Sequence, residues 1–128
     1  MDTPLALVKQ AYEAFGRGDI GSILEMIADD VDWRVVGPAS LPFPIECKTR
    51  QEVADYFKKL SEADDITLFE PREFIEAGDQ IVALGRVKAT VRATGASFES
   101  EWIHVMTIKN GLLTRWVEFF DTAARMGP

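Results

Sequence analysis

The chain has 128 residues, with 14 Lys and Arg against 21 Asp and Glu, a net charge of −7, one His and one Cys. No stretch approaches the roughly 20 apolar residues of a membrane span, and no Lys/Arg cluster suits nucleic acid or an anionic membrane surface. The single Cys47 excludes an internal disulfide and any multi-cysteine metal site.

A composition 47% hydrophobic and 27% charged suits one domain over residues 1–128 with a single core. The N-terminus lacks the basic start and apolar centre of a signal peptide, so a cytoplasmic location is expected. No cluster has metal-ligand spacing, no Gly-rich loop suits a phosphate, and no nucleotide motif is present. Neither a metal nor a cofactor is expected.

Thr3-Pro4 opens a helix, with a capping hydroxyl followed by Pro at the first helical position. Leu5, Val8, Tyr12 and Phe15 follow at spacings of three and four and form one apolar stripe. Gly16 and Gly18 end this helix, and Asp19 can cap a short second one over Ile20 to Ile27, which Asp29-Asp30 breaks. Val31, Trp33 and Val35 alternate with charged residues as a half-buried strand.

The segment Gly37 to Pro44 is too rich in Pro and Gly for regular structure, and its Leu41 and Phe43 are expected to fold over something apolar. Thr49 to Glu52 reads as a capping box for a third helix ending near Ser61, with Val53, Tyr56, Phe57 and Leu60 facing inward.

The rest of the chain reads as strands. Ile66 to Glu76 contains Pro71, which implies an edge or a bulge. Gln80 to Arg92 keeps Ile81, Ala83, Gly85, Val87, Ala89 and Val91 in one parity. Phe98 to Ile108 and Leu112 to Phe120 meet at Asn110-Gly111, a strong hairpin signal.

That hairpin holds the only His, two of the three Trp, and Glu118 in the middle of an apolar strand, where an unpartnered charge would be costly. A strict two-residue loop pairs Ile103 with Glu118. A three-residue loop or a bulge pairs Trp102 with Glu118 and sets His104 beside Trp116, and this register is favoured because it gathers both polar groups among aromatics. Helices first and a long meander last argue for an α+β domain.

The element order, the opening AYEAFGRGDIGSILEMIADDVDW and the closing WIHVMTIKNGLLTRWVEFFD resemble the nuclear transport factor 2-like superfamily. The resemblance implies a conical barrel. Its strongly curved, mainly antiparallel sheet would carry three N-terminal helices on its concave face. The ketosteroid isomerase residues of that superfamily are absent: the helix Tyr position reads Ala11, with Tyr12 one residue off, and the base position falls near Val35. The limonene epoxide hydrolase pattern keeps Arg86 and places Glu118 where that family has its water-activating Asp. Lys88 replaces the acid, and the Tyr and Asn expected near Leu41 to Ile45 are missing.

SnoaL-like polyketide cyclases place a His on the penultimate strand and an Asp fourteen residues later, and His104 and Glu118 have that spacing. The resemblance therefore implies a pocket for a small apolar organic ligand and cofactor-free acid–base chemistry of cyclase or isomerase type on a carbonyl compound. The candidate catalytic residues are Glu118 as base, His104 as partner acid or orienter, and Arg86 as electrostatic helper. Arg86 is equally placed to pair with Glu99 or Glu101.

Trp33, Tyr56, Trp102, Met106, Trp116 and Phe120 are the candidate substrate-binding wall. Tyr12, Tyr56 and Phe57 read as packing rather than chemistry, and Asp121 as a turn acceptor ending the sheet. Epoxide hydrolysis and non-catalytic binding or dimerisation are the competing functions. The outer sheet face, with Ile103, Val105, Val117 and Phe119, would leave an apolar patch on a monomer, so a homodimer through that face is expected.

Overall fold

The computed structural model describes residues 3–127. Helix α1 (Pro4–Gly16) starts where expected, with the Thr3 side chain accepting from the Ala6 N–H at 3.1 Å. Helix α2 (Ile20–Glu25) is capped by Asp19, which accepts from the Ser22 N–H at 3.1 Å. It ends earlier than the sequence implies, because Ile27 already opens strand β1 (Ile27–Val36). Tertiary hydrogen bonds draw the segment into the sheet. The Leu113 N–H donates to the Met26 carbonyl at 2.8 Å, and the Arg50 guanidinium holds the Ile27 carbonyl at 2.6 and 3.0 Å. Asp29 and Asp30 therefore lie in the strand rather than breaking a helix.

The Pro-rich segment is irregular, and its Leu41 and Phe43 are buried. A short strand, β2 (Glu46–Thr49), follows it and pairs antiparallel with β1, an element too brief to show a period in sequence. Helix α3 (Arg50–Ala63) is capped by Thr49, which accepts from the Glu52 N–H at 3.1 Å. Glu52 reaches back to the Lys48 N–H at 2.7 Å, one residue beyond the usual capping-box target.

Strands β3 (Asp64–Ala77), β4 (Gln80–Val91), β5 (Ser97–Lys109) and β6 (Leu112–Phe120) complete the sheet, in the order β2-β1-β6-β5-β4-β3. Every neighbouring pair is antiparallel except β1 with β6. β3 is an edge strand with two register shifts, one beside Pro71, which removes the need for a ladder donor there. The sheet curls around the helices without closing, since β2 and β3 end it on either side. Among the described residues, no helix is long and apolar enough to cross a membrane.

The core lies between the helices and the concave face, where Val8, Ile27, Trp33, Val53, Tyr56, Ile81 and Trp102 are almost wholly buried. A last helix, α4 (Thr122–Met126), was not expected. Asp121 caps it by accepting from the Ala124 N–H at 3.0 Å, so this residue starts a helix as well as ending the sheet. Arg125 then grips Asp64, at the α3–β3 junction, through two hydrogen bonds of 2.6 and 3.2 Å, with both side chains buried. This pair ties the end of the chain to its middle.

Replacing Arg125 with Met would leave the Asp64 carboxylate buried without its cation. The expected loss is about 3–5 kcal/mol, read as a lower urea midpoint with an unchanged slope.

Candidate functional site

The hairpin that carries the polar residues turns through Asn110 and Gly111, both with positive φ (54° and 75°), as a two-residue loop of the primed type requires. The first pair is Lys109 with Leu112, which would set Ile103 opposite Glu118 if the ladder ran on unbroken. It does not. Thr114 is an extra residue between the Ile108–Leu113 and Thr107–Arg115 pairs, and the bulge advances the register by one. His104 therefore lies opposite Glu118, and Trp102 opposite Phe120. This corrects both alternatives drawn from the sequence: the loop has two residues, and the bulge shifts β6 in the opposite sense to the one favoured.

The facing pair is bonded. His104 Nε2 lies 2.6 Å from Glu118 Oε2, with the His104 side chain 3% exposed and that of Glu118 16% exposed. On the other side of the ring, the Tyr12 hydroxyl lies 2.8 Å from Nδ1 and 3.9 Å from the sulfur of Met106. A hydroxyl has one proton to give, and an imidazole nitrogen is a far better acceptor than a thioether. Tyr12 therefore donates to Nδ1, which leaves Nε2–H to donate to the Glu118 carboxylate.

Burial, reinforced by the Glu118 charge, holds the Tyr12 hydroxyl well above its ordinary pKa, so it stays a donor. The result is a three-residue chain, Tyr12–His104–Glu118, drawn from α1, β5 and β6. The sequence pattern assigns Tyr12 to packing. It does pack, against Phe69, Phe74 and Trp102, but its hydroxyl completes the chain.

The chain borders a cavity of about 120 Å³ between the helices and the sheet. Trp33, Tyr56, Trp102, Met106, Trp116 and Phe120, the expected wall, all line it, together with His104 and Glu118. Two ring stacks build that wall. Trp33 lies on Trp116 at 4.0 Å, while Trp102 lies between His104 at 4.1 Å and Phe69 at 4.8 Å.

Trp102 can lie this close to β4 because its partner there is Gly85; a Cβ on Gly85 would collide with the indole and with the Glu70 carbonyl. The indole N–H groups of Trp33 and Trp102 are buried and meet no acceptor among the described residues.

Arg86 does not belong to this site. It projects from the opposite face of β4, where it pairs with Glu99, which also holds Lys88 at 3.2 Å. The reason is the strand's own alternation: Val87 and Ala89 line the cavity, so Arg86 and Lys88 point away from it. On the outer face Ile103 and Phe119 are exposed as expected, Val105 is half-buried, and Val117 is buried.

The comparisons with known proteins agree with this fold. A family model described as a SnoaL-like domain matches residues 8–116. A crystal structure of an NTF2-like protein from Burkholderia thailandensis superposes with a TM-score of 0.88 at 30% identity, covering 100% of both chains. An NTF2-like protein of unknown function from Burkholderia pseudomallei gives 0.87 at 30% identity, covering 98% of this chain and 95% of that one. A protein assigned as a SnoaL-like polyketide cyclase from Mesorhizobium loti gives 0.76 at 20% identity, covering 94% and 99%, a likeness of fold. No curated protein sequence is significantly similar to this chain.

Buried hydroxyls and a buried thiol have a consequence for stability. Burial raises Tyr12, Tyr56 and Cys47, the last from an ordinary value of 9.0 to about 11. Each group is neutral when protonated, so the stability it contributes is full below its unfolded value and is lost as pH rises through its folded one. Thermal unfolding followed against pH is expected to show the melting temperature falling as pH climbs from 9.0 towards about 11.

Proposed function

We propose that this chain, which belongs to the SnoaL-like domain family, is a cofactor-free enzyme of cyclase or isomerase type that removes a proton next to the carbonyl of a small, largely apolar compound. The observation that carries this reading is the 2.6 Å bond between His104 and Glu118 at the edge of an aromatic cavity. A carboxylate held by one oxygen has its other oxygen left to accept a proton. Glu118 takes the proton from carbon, and the electron pair moves onto the carbonyl oxygen as an enolate. His104, almost wholly buried, orients the carboxylate, and Tyr12 fixes the imidazole in the tautomer that does so.

Returning the proton at a different carbon isomerises the compound; attack of the enolate on an internal electrophile closes a ring. The epoxide hydrolase alternative loses support from the placement of Arg86 and Lys88 on the outer face.

The test is exchange of solvent deuterium into the methyl group of acetophenone, followed by proton NMR. Wild type is expected to catalyse exchange. Glu118→Gln is expected to lower the rate by roughly 10²–10⁴-fold, and Tyr12→Phe by a smaller factor. Equal rates for wild type and Glu118→Gln would leave a binder with no catalytic base.

We also propose a homodimer through the outer sheet face, supported by the exposure of Ile103, Phe119 and Val36 in one row across β5, β6 and β1. Sedimentation at micromolar concentration is expected to give twice the 14.3 kDa chain mass; a monomer would count against it.

A further inference from the structure

We infer that the cavity selects uncharged carbonyl compounds and rejects carboxylates and other anions. The inference rests on the reading of this cavity as the ligand site, and it narrows the substrate class by charge.

The charge argument starts from what borders the cavity. Its ionisable lining residues are Tyr12, Tyr56, Asp64, His104 and Glu118, and among the described residues no Lys or Arg lines it. Asp64 is neutralised by Arg125, but that guanidinium is itself committed to Asp64 through Nε and Nη2. The cations of β4, Arg86 and Lys88, are held outside by Glu99, and Arg115 pairs with Asp32. A bound anion would therefore face the Glu118 carboxylate with no cation to offset either charge, in surroundings that screen poorly.

An uncharged carbonyl compound meets no such penalty, and the proposed reaction keeps the charge of the site constant. The C–H bond breaks, an O–H bond forms on Glu118, and the one negative charge passes from the carboxylate to the enolate oxygen. A substrate that arrived as a carboxylate would end with two.

The experiment compares three probes with the same ring and different charge: acetophenone, benzoate and benzylamine. All three Trp residues of the chain line the cavity, so quenching of intrinsic fluorescence reads occupancy directly. Near neutral pH, wild type is expected to bind acetophenone at least roughly tenfold more tightly than benzoate. In Glu118→Gln that gap is expected to shrink to below about threefold, mainly through tighter benzoate.

Equal binding of acetophenone and benzoate by wild type would overturn the charge selection, whatever the deuterium exchange shows. Tightest binding by benzylamine, lost in Glu118→Gln, would uphold the rejection of anions but overturn the carbonyl substrate in favour of an amine. Should Glu118→Gln fail to fold, the wild-type comparison of the three probes decides the matter alone.

Discussion

A carboxylate on the concave face of an aromatic sheet has few ways to exist. In the folded chain Glu118 is largely shielded from water, and a buried charge without a polar partner would cost several kcal/mol. Its partner is His104, whose ring is stacked on Trp102 and whose far nitrogen is taken by the Tyr12 hydroxyl. Each member of this chain comes from a different element, so the chain exists only when α1, β5 and β6 are all in place. The polar constraint and the packing are thus one arrangement. The aromatic wall makes the carboxylate worth holding, and the hydrogen-bond chain makes the wall tolerable around it.

Much of this was legible in the residues. The apolar stripe of α1, the capping signal of α3, the alternation of β4 and the Asn110-Gly111 turn are local signals with clear periods, and each marks an element that formed. Five of the wall residues, Trp33, Trp102, Met106, Trp116 and Phe120, were legible for the same reason, since strand parity places them on one face, and Tyr56 lies on the inward stripe of α3. Parity also held the answer on Arg86. It alternates with Gly85 and Val87, which share the parity of the strand's apolar residues, so the pattern itself sets Arg86 on the opposite face. The analogy with epoxide hydrolases drew it in; the physical signal was the better guide.

Other features had no local signature. Thr114 reads as an ordinary strand residue, and only pairing across the ladder shows it as the bulge. Strand β2 and helix α4 are too short for a period to emerge. The end of α2 was decided by hydrogen bonds from Leu113 and Arg50, both distant in sequence. Tyr12 was the instructive case. Its place in the stripe predicted packing correctly, and the hydroxyl within that stripe was the sign that it did something more. A lone oxygen on a buried helical face has to find a partner.

The bulge at Thr114 carries a consequence for comparing such chains. The spacing between His104 and Glu118 places them opposite one another only because one residue of β6 is looped out of the ladder. Substitutions in the turn leave that arrangement alone, whereas the same spacing on an unbroken ladder would set Ile103, not His104, opposite Glu118. Conversely, a cousin whose two polar residues stand one position closer together, on an unbroken hairpin, would present the same facing pair. Kinship at this site is therefore measured by ladder geometry, and an alignment that counts letters between landmarks would pass over true equivalents and accept false ones.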